Sequence, residues 1–263
     1  MPEILNTSLH SLMLLLLTGG IVGFLLALTG GGGSIVCVPL LLYMVKVPDT
    51  HMVIGTSALA VAANALINVV AHAAKGNVRW WTGFTVSIIA VVGALVGAGL
   101  GKVVDGQYLI IPFAVLMLIV AGLMLRKKAS SACAPRTTSY RTLPPVITWG
   151  SVLLLGVLAG FLGIGGGFLV VPLLVWFFRF SLVEAVATSL MVVFSMGLAT
   201  SASYAFSGKV SPVITVWLIA GGLLGGLLGV AFASRLKKSE AVINAIFSGM
   251  LILMAIYMLL KNL

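Results

Sequence analysis

Twice in this chain a run of glycines interrupts an apolar stretch and is followed by a further apolar run, a proline and a cation. The first copy is Gly30-Gly31-Gly32-Gly33-Ser34, then Val38-Pro39-Leu40-Leu41 and Lys46. The second is Gly163-Ile164-Gly165-Gly166-Gly167, then Val171-Pro172-Leu173-Leu174 and Arg179. Each glycine costs a helix about 1 kcal/mol relative to alanine, so consecutive glycines mark a backbone break rather than good helix. A break at matching places in two halves of a membrane protein points to the binding site of a transporter.

The rest of the sequence fits a membrane setting. With 61% hydrophobic and 8% charged residues and a mean hydropathy of +1.24, the chain has too little polar surface to clothe a soluble globule. Apolar runs near or above the ~18 residues of a membrane helix recur along the whole length, which leaves no room for a soluble domain. The net charge of +10 sits in short loops between apolar runs, so it reads as an orientation signal and not as a nucleic-acid surface. Cys37 lies in an apolar run and Cys133 in a basic loop, giving neither metal spacing nor a disulfide framework. No Lys or Arg precedes Lys46, so the first segment lacks the basic start of a cleaved signal peptide and is expected to stay in the mature protein.

The duplication extends beyond the glycines. Thr56-Ser57 matches Thr188-Ser189, and Gly76-x-Val78 matches Gly208-x-Val210, at an offset of 132; Gly93, Gly97 and Gly101 match Gly221, Gly225 and Gly229 at 128. This predicts an all-α polytopic membrane protein of two repeats, 1–126 and 146–263, joined by a basic loop over 127–145. Each repeat divides into a broken element (9–46 and 146–179) and three spans, near 52–74, 81–103 and 108–125, then 182–207, 212–234 and 241–260. The Gly-x-x-x-Gly stripes are expected to let neighbouring helix backbones approach closely. Trp80-Trp81, Trp149, Trp176 and Trp217 fall at or near segment ends, where they suit the membrane interface.

Each broken element is either a tilted, interrupted span or a re-entrant hairpin. Ser34 to Lys46 covers about 18 Å as helix, roughly half of a bilayer core. Loop charge separates the options. With hairpins, Lys75, Arg79, Arg126, Lys127, Lys128, Arg136, Arg141, Arg179, Arg235, Lys237 and Lys238 share one side, eleven of the fifteen cations. Plain spans divide them nine to six. The sharper bias favours hairpins, both termini outside and the second repeat inverted relative to the first.

The carboxylates Glu3, Asp49, Asp105, Glu184 and Glu240 all lie at segment ends, which argues against a carboxylate-based cation pump. Paired acids, a His-Glu-x-x-His motif and a Gly-x-Ser-x-Gly elbow are missing, so the chain is not expected to be an enzyme or to hold a metal or cofactor. What it offers is neutral donors and helix ends. A half-helix starting at each glycine run points free N–H groups and about half a positive charge to mid-membrane, where two such ends would hold an anion. Tight helix packing is the rival account of the glycines. The candidate binding residues are Gly30, Gly31, Gly32, Gly33, Ser34, Thr56, Ser57, Asn64 and Asn68 from the first repeat, with Gly163, Gly165, Gly166, Gly167, Thr188, Ser189, Ser195 and Thr200 from the second. For any one hydroxyl or amide, bonding to its own helix or bridging helices is an equal alternative. Lys46 and Arg179 suit the carboxyl ends of the half-helices, Pro39 and Pro172 a kink or helix start, and His72, aligned with Tyr204, an interfacial position.

On the two glycine runs, their Val-Pro-Leu-Leu sequels and the Thr-Ser pairs, the chain resembles the TauE/SafE family of sulfite and organosulfur-anion exporters, over nearly its full length. The resemblance implies a secondary transporter of sulfite, a sulfonate or a related small anion in the bacterial inner membrane, working by alternating access around a midplane site. Expected partners are the anion, membrane lipid and a coupling ion, with no nucleic acid; a homodimer is left open. Rival readings are a passive anion channel, uptake of a sulfur compound or carboxylate, and a thiol relay through Cys37, whose counterpart is Val170.

Overall fold

The computed structural model describes residues 9–126, 145–163, 167–235 and 240–262. The basic linker therefore lies outside the described residues, as do Ile164, Gly165 and Gly166. All regular elements among the described residues are helical: α1 (Leu9–Thr29), α2 (Gly32–Pro39, widening to a π-helical turn over Leu40–Met44), α3 (Thr50–Ala73), α4 (Trp80–Val103) and α5 (Gly106–Arg126). The second half gives α6 (Pro145–Leu162), α7 (Gly167–Phe177), α8 (Leu182–Ala205), α9 (Pro212–Arg235) and α10 (Glu240–Asn262). Five described segments, in α1, α3, α4, α8 and α9, are long and apolar enough to cross a membrane.

Local chemistry sets the helix ends. Asp49 caps α3 by accepting from the His51 and Met52 N–H groups, and Ser181 caps α8 in a reciprocal box with Glu184. The half-helices close alike: Lys46 and Arg179 take left-handed conformations (φ 60° and 52°). The Val47 N–H reaches back to the Leu41 carbonyl (3.1 Å) and the Phe180 N–H to the Leu174 carbonyl (3.4 Å). Both prolines fall inside their helices rather than starting them. At Pro39 the missing donor coincides with the change to a wider π turn.

Exchanging the halves leaves the packing unchanged. Helix α1 packs along α9 as α6 packs along α4, while α2 meets α7, α3 meets α8 and α5 meets α10. Close backbone approaches give the directions. Gly221, Gly225 and Gly229 press on Leu16, Gly20 and Phe24, so α1 and α9 run parallel; Gly93, Gly97 and Gly101 press on Leu153, Val157 and Phe161, so α4 and α6 do too. The glycine stripes are thus helix-packing seams, as expected. Helices α3 and α8 run antiparallel, with Gly55 on Tyr204 and Gly197 on Ala58 and Ala62. In the first half the broken element is a hairpin: α2 turns back along α1, with Gly33 against Val22 and Leu26, and Thr18 3.9 Å from the Met44 sulfur.

Candidate functional site

The two breaks meet. Gly30 ends the first arm at φ 72° and Gly163 the equivalent arm at φ 67°, a region that glycine enters without steric cost. Gly31 and Gly167 touch main chain to main chain, and a β-carbon on either would fall on the backbone of the other. Gly167 also abuts Val193, near the middle of α8, so the contact lies deep in the bundle. Since α2 starts at Gly32 and α7 at Gly167, two helix amino ends converge there.

Those ends are partly satisfied. The Thr29 hydroxyl donates to the Leu25 carbonyl (2.7 Å) and accepts from the Gly32 N–H (2.9 Å), capping α2. The Ser34 hydroxyl and N–H both donate to the Gly31 carbonyl, at 2.6 and 3.1 Å. The Ser189 hydroxyl lies 2.7 Å from the Gly30 carbonyl and 2.8 Å from that of Val186, tying the first break to α8. Thr29 was not among the expected residues, although a threonine directly before a glycine run is itself a capping signal.

The remaining candidates divide by place. Thr56 and Thr188 perform one task in both halves: the Thr56 hydroxyl accepts from the Ser211 N–H (3.0 Å) at the start of α9, and the Thr188 hydroxyl from the Arg79 N–H (3.1 Å) at the start of α4. Ser57 donates to the Ile54 carbonyl (3.0 Å), beside Gly163, and Ser195 to the Met191 carbonyl (3.0 Å). Thr200 is fully buried and its hydroxyl has no partner among the described residues. Asn64 and Asn68 form a separate group in the seam between α3 and α9. The Asn64 amide packs on Gly222, and Asn68 donates to the Asn64 carbonyl (2.9 Å) while facing Gly226. A cavity of about 240 Å³ opens beside Asn68 and Lys75. Gly222 and Gly226, which make room for both amides, are a second glycine stripe one residue along from the expected one.

Comparison with known proteins then decides the family. The profile of the sulfite exporter TauE/SafE family matches residues 15–258. The chain belongs to the TauE/SafE family. It is 41% identical over 97% of both chains to a probable membrane transporter protein of Xylella fastidiosa (strain Temecula1). It is 29% identical, over 88% of this chain and 92% of the other, to the probable membrane transporter protein YunE of Bacillus subtilis. No solved structure matches it. Family, relatives and apolar helices together make the chain a multi-pass membrane transporter, and its bacterial relatives point to the inner membrane.

Among the described residues of this TauE/SafE protein, an ion pair joins the halves at each end. At the Lys75 end Arg79 meets Glu184 (2.6 Å), and at the Lys46 end Lys209 meets Asp49 (2.7 Å). Burial alone would raise the Asp49 carboxyl, but the hydrogen bond and charge of Lys209 and the Met52 and His51 N–H groups outweigh it and hold the group below its ordinary value. Both pairs link a turn or helix start of one half to a helix start of the other, so they clamp the ends while the glycine contact fixes the middle.

Proposed function

We propose that this transporter exports a small sulfur-containing anion, sulfite or a sulfonate, by alternating access between two halves inverted in the bilayer. The observation that carries the reading is the convergence of the α2 and α7 amino ends at the Gly31–Gly167 contact. Two helix amino ends supply partial positive charge without a buried cation, which suits an oxyanion that must be released again. Because the glycines are in contact, the anion occupies the site when the halves part, and Ser34, Ser189 and the amino ends of α2 and α7 then face it.

Inversion is supported by the running directions: α1 parallel to α9, α4 parallel to α6 and α3 antiparallel to α8 make equivalent helices of the two halves oppose each other. The cation bias then puts the Lys75 end in the cytoplasm. Reconstituted vesicles test the function. Sulfite or sulfoacetate flux should saturate, and anion on the far side should stimulate it by exchange. Linear, unsaturable flux would make the protein a channel, and saturable carriage of simple carboxylates alone would move the substrate class. Undiminished transport by Cys37→Ala is expected, because Cys37 is buried in the core and no cysteine stands at its counterpart.

A further inference from the structure

Helix α3 carries Asn64, Asn68 and Ala71 at steps of four and three, a single stripe of its surface, and Lys75 follows in the turn just past the helix end. The stripe faces α9 across Gly222 and Gly226, with the cavity at its Lys75 end between Ala71 and Val230. By volume that cavity far exceeds the ~10–15 Å³ needed for one water. Asn64 is only 1% exposed, yet neither its amide nitrogen nor its amide oxygen has a partner among the described residues. A buried amide left unpaired is costly to the fold, so it marks a place where a further group belongs.

Packing does not require this arrangement. At the offset of 132, Asn64 and Lys75 correspond to Met196 and Ser207 on α8; at 128, Gly222 and Gly226 correspond to Ala94 and Ala98 on α4. There Met196 and Ala94 lie fully buried in one apolar cluster. In one half the seam holds Met196 and Thr200, with Lys102 at its mouth donating to the Ser203 carbonyl and the Ser207 hydroxyl; in the other it holds two amides, one of them unpaired, and a cavity with Lys75 at its rim. Depth adds a second point. The antiparallel register of α3 and α8, in which Gly197 meets Ala58 and Ala62, puts Asn64 level with Val193 and hence with the Gly31–Gly167 contact. From there to Lys75 the stripe spans about 16 Å along the helix.

We propose that the α3/α9 seam is an oxyanion vestibule, in which Lys75 draws a small anion to the mouth and the Asn68 and Asn64 amides lead it to the glycine contact. This rests on the anion-transport reading above. The ligand is a compact anion with hydrogen-bond-accepting oxygens, a chemistry shared by free sulfite or sulfonate and by a lipid headgroup. The amide N–H groups donate to the anion's oxygens and carry no charge, so they bind the anion without trapping it.

The test compares wild type, Lys75→Gln, Asn68→Thr (the residue the second half uses) and the counterpart control Ser207→Ala. Sulfite and sulfoacetate transport is measured in vesicles of purely neutral lipid and again with anionic lipid added, and thermal unfolding confirms that each variant is folded. Lys75→Gln and Asn68→Thr are expected to raise the half-saturating concentration about ten-fold at unchanged maximal rate, as loss of one charge-assisted contact would, in both lipids. Ser207→Ala is expected to match wild type. Wild-type half-saturation in Lys75→Gln overturns the vestibule and leaves the exporter reading standing. An effect confined to anionic lipid assigns the seam to a headgroup and also overturns it. Failure of wild type to carry either anion refutes the exporter reading itself, a separate result.

Discussion

The α3/α9 and α4/α8 seams occupy equivalent places in the two halves and differ in almost everything but their backbone path. Against α9, α3 sets Asn64 and Asn68 over bare glycine; against α4, α8 sets Met196 and Thr200, with Ala94 and Ala98 at the facing positions. What the halves keep in common is mechanical: the left-handed Gly30 and Gly163, the left-handed Lys46 and Arg179, and the threonines that accept from the N–H just before α4 and α9. What they do not share is the unpaired buried amide of Asn64, whose counterpart is Met196. The repeat therefore builds the frame, and departures from the repeat carry the chemistry.

The two halves share one fixed point, the Gly31–Gly167 contact, and removing it should have the largest effect. Gly31→Ala or Gly167→Ala drives a β-carbon into the opposite main chain, which cannot rotate away as a side chain would. Overpacking of this kind costs about 1–3 kcal/mol or more. Transport in vesicles should be abolished while the protein still inserts, and the unfolding temperature should fall. Gly99→Ala, inside the spanning helix α4 with open space around its Cα, is the control; it should gain up to about 1 kcal/mol of helix propensity and keep full transport. Equal behaviour of the two variants would reduce the Gly31–Gly167 contact to incidental packing.

Next in size is a conversion of one seam into the other. Asn64→Met combined with Gly222→Ala gives α3/α9 the residues of α8/α4. The pair should be made together, because a β-carbon on Gly222 alone would strike the Asn64 amide. Removing an unpaired buried amide should stabilise the protein by about 1–3 kcal/mol in thermal or denaturant unfolding, while transport falls at least ten-fold. A stable variant with wild-type transport would show that the difference between the seams has no bearing on function.

How much of this could be read in advance follows the same division. The helices stand within a few residues of the expected spans, because apolar length and glycine, tryptophan and charge at segment ends are local signals; for the first broken element the cation count favoured a hairpin over an interrupted span. The meeting of Gly31 with Gly167 was legible as a repeat. The positions of Thr56 and Thr188 were not: their spacing says only that they share a level in each half, whereas their partners are N–H groups of the opposite half, at Ser211 and Arg79. Asn64 and Asn68 were legible as one face of α3, but the face they meet depends on which helix lies alongside, a tertiary fact. Gly222 and Gly226 were hidden beside the more regular stripe of Gly221, Gly225 and Gly229.

The smallest expected effect concerns the ends, where the halves again differ. Asp49 corresponds to Ser181 and Arg79 to Ser211, so each end has an ion pair the other lacks. The Asp49–Lys209 pair is partly exposed, and such pairs contribute about 0–1 kcal/mol. Asn at position 49 can still accept from the His51 and Met52 N–H groups, so Asp49→Asn isolates the charge from the cap. The folded-state carboxyl is held below its ordinary value, so its contribution is complete above the usual carboxylate range and is lost as pH falls through the lowered native value. The stability difference between wild type and Asp49→Asn should therefore be small and constant near neutral pH and shrink toward zero in acid. Thermal unfolding across pH reads it, at low salt where screening is least. A difference that grew on acidification would mean that the neutral carboxyl is the form the fold favours, and that Lys209 does not clamp this end through charge.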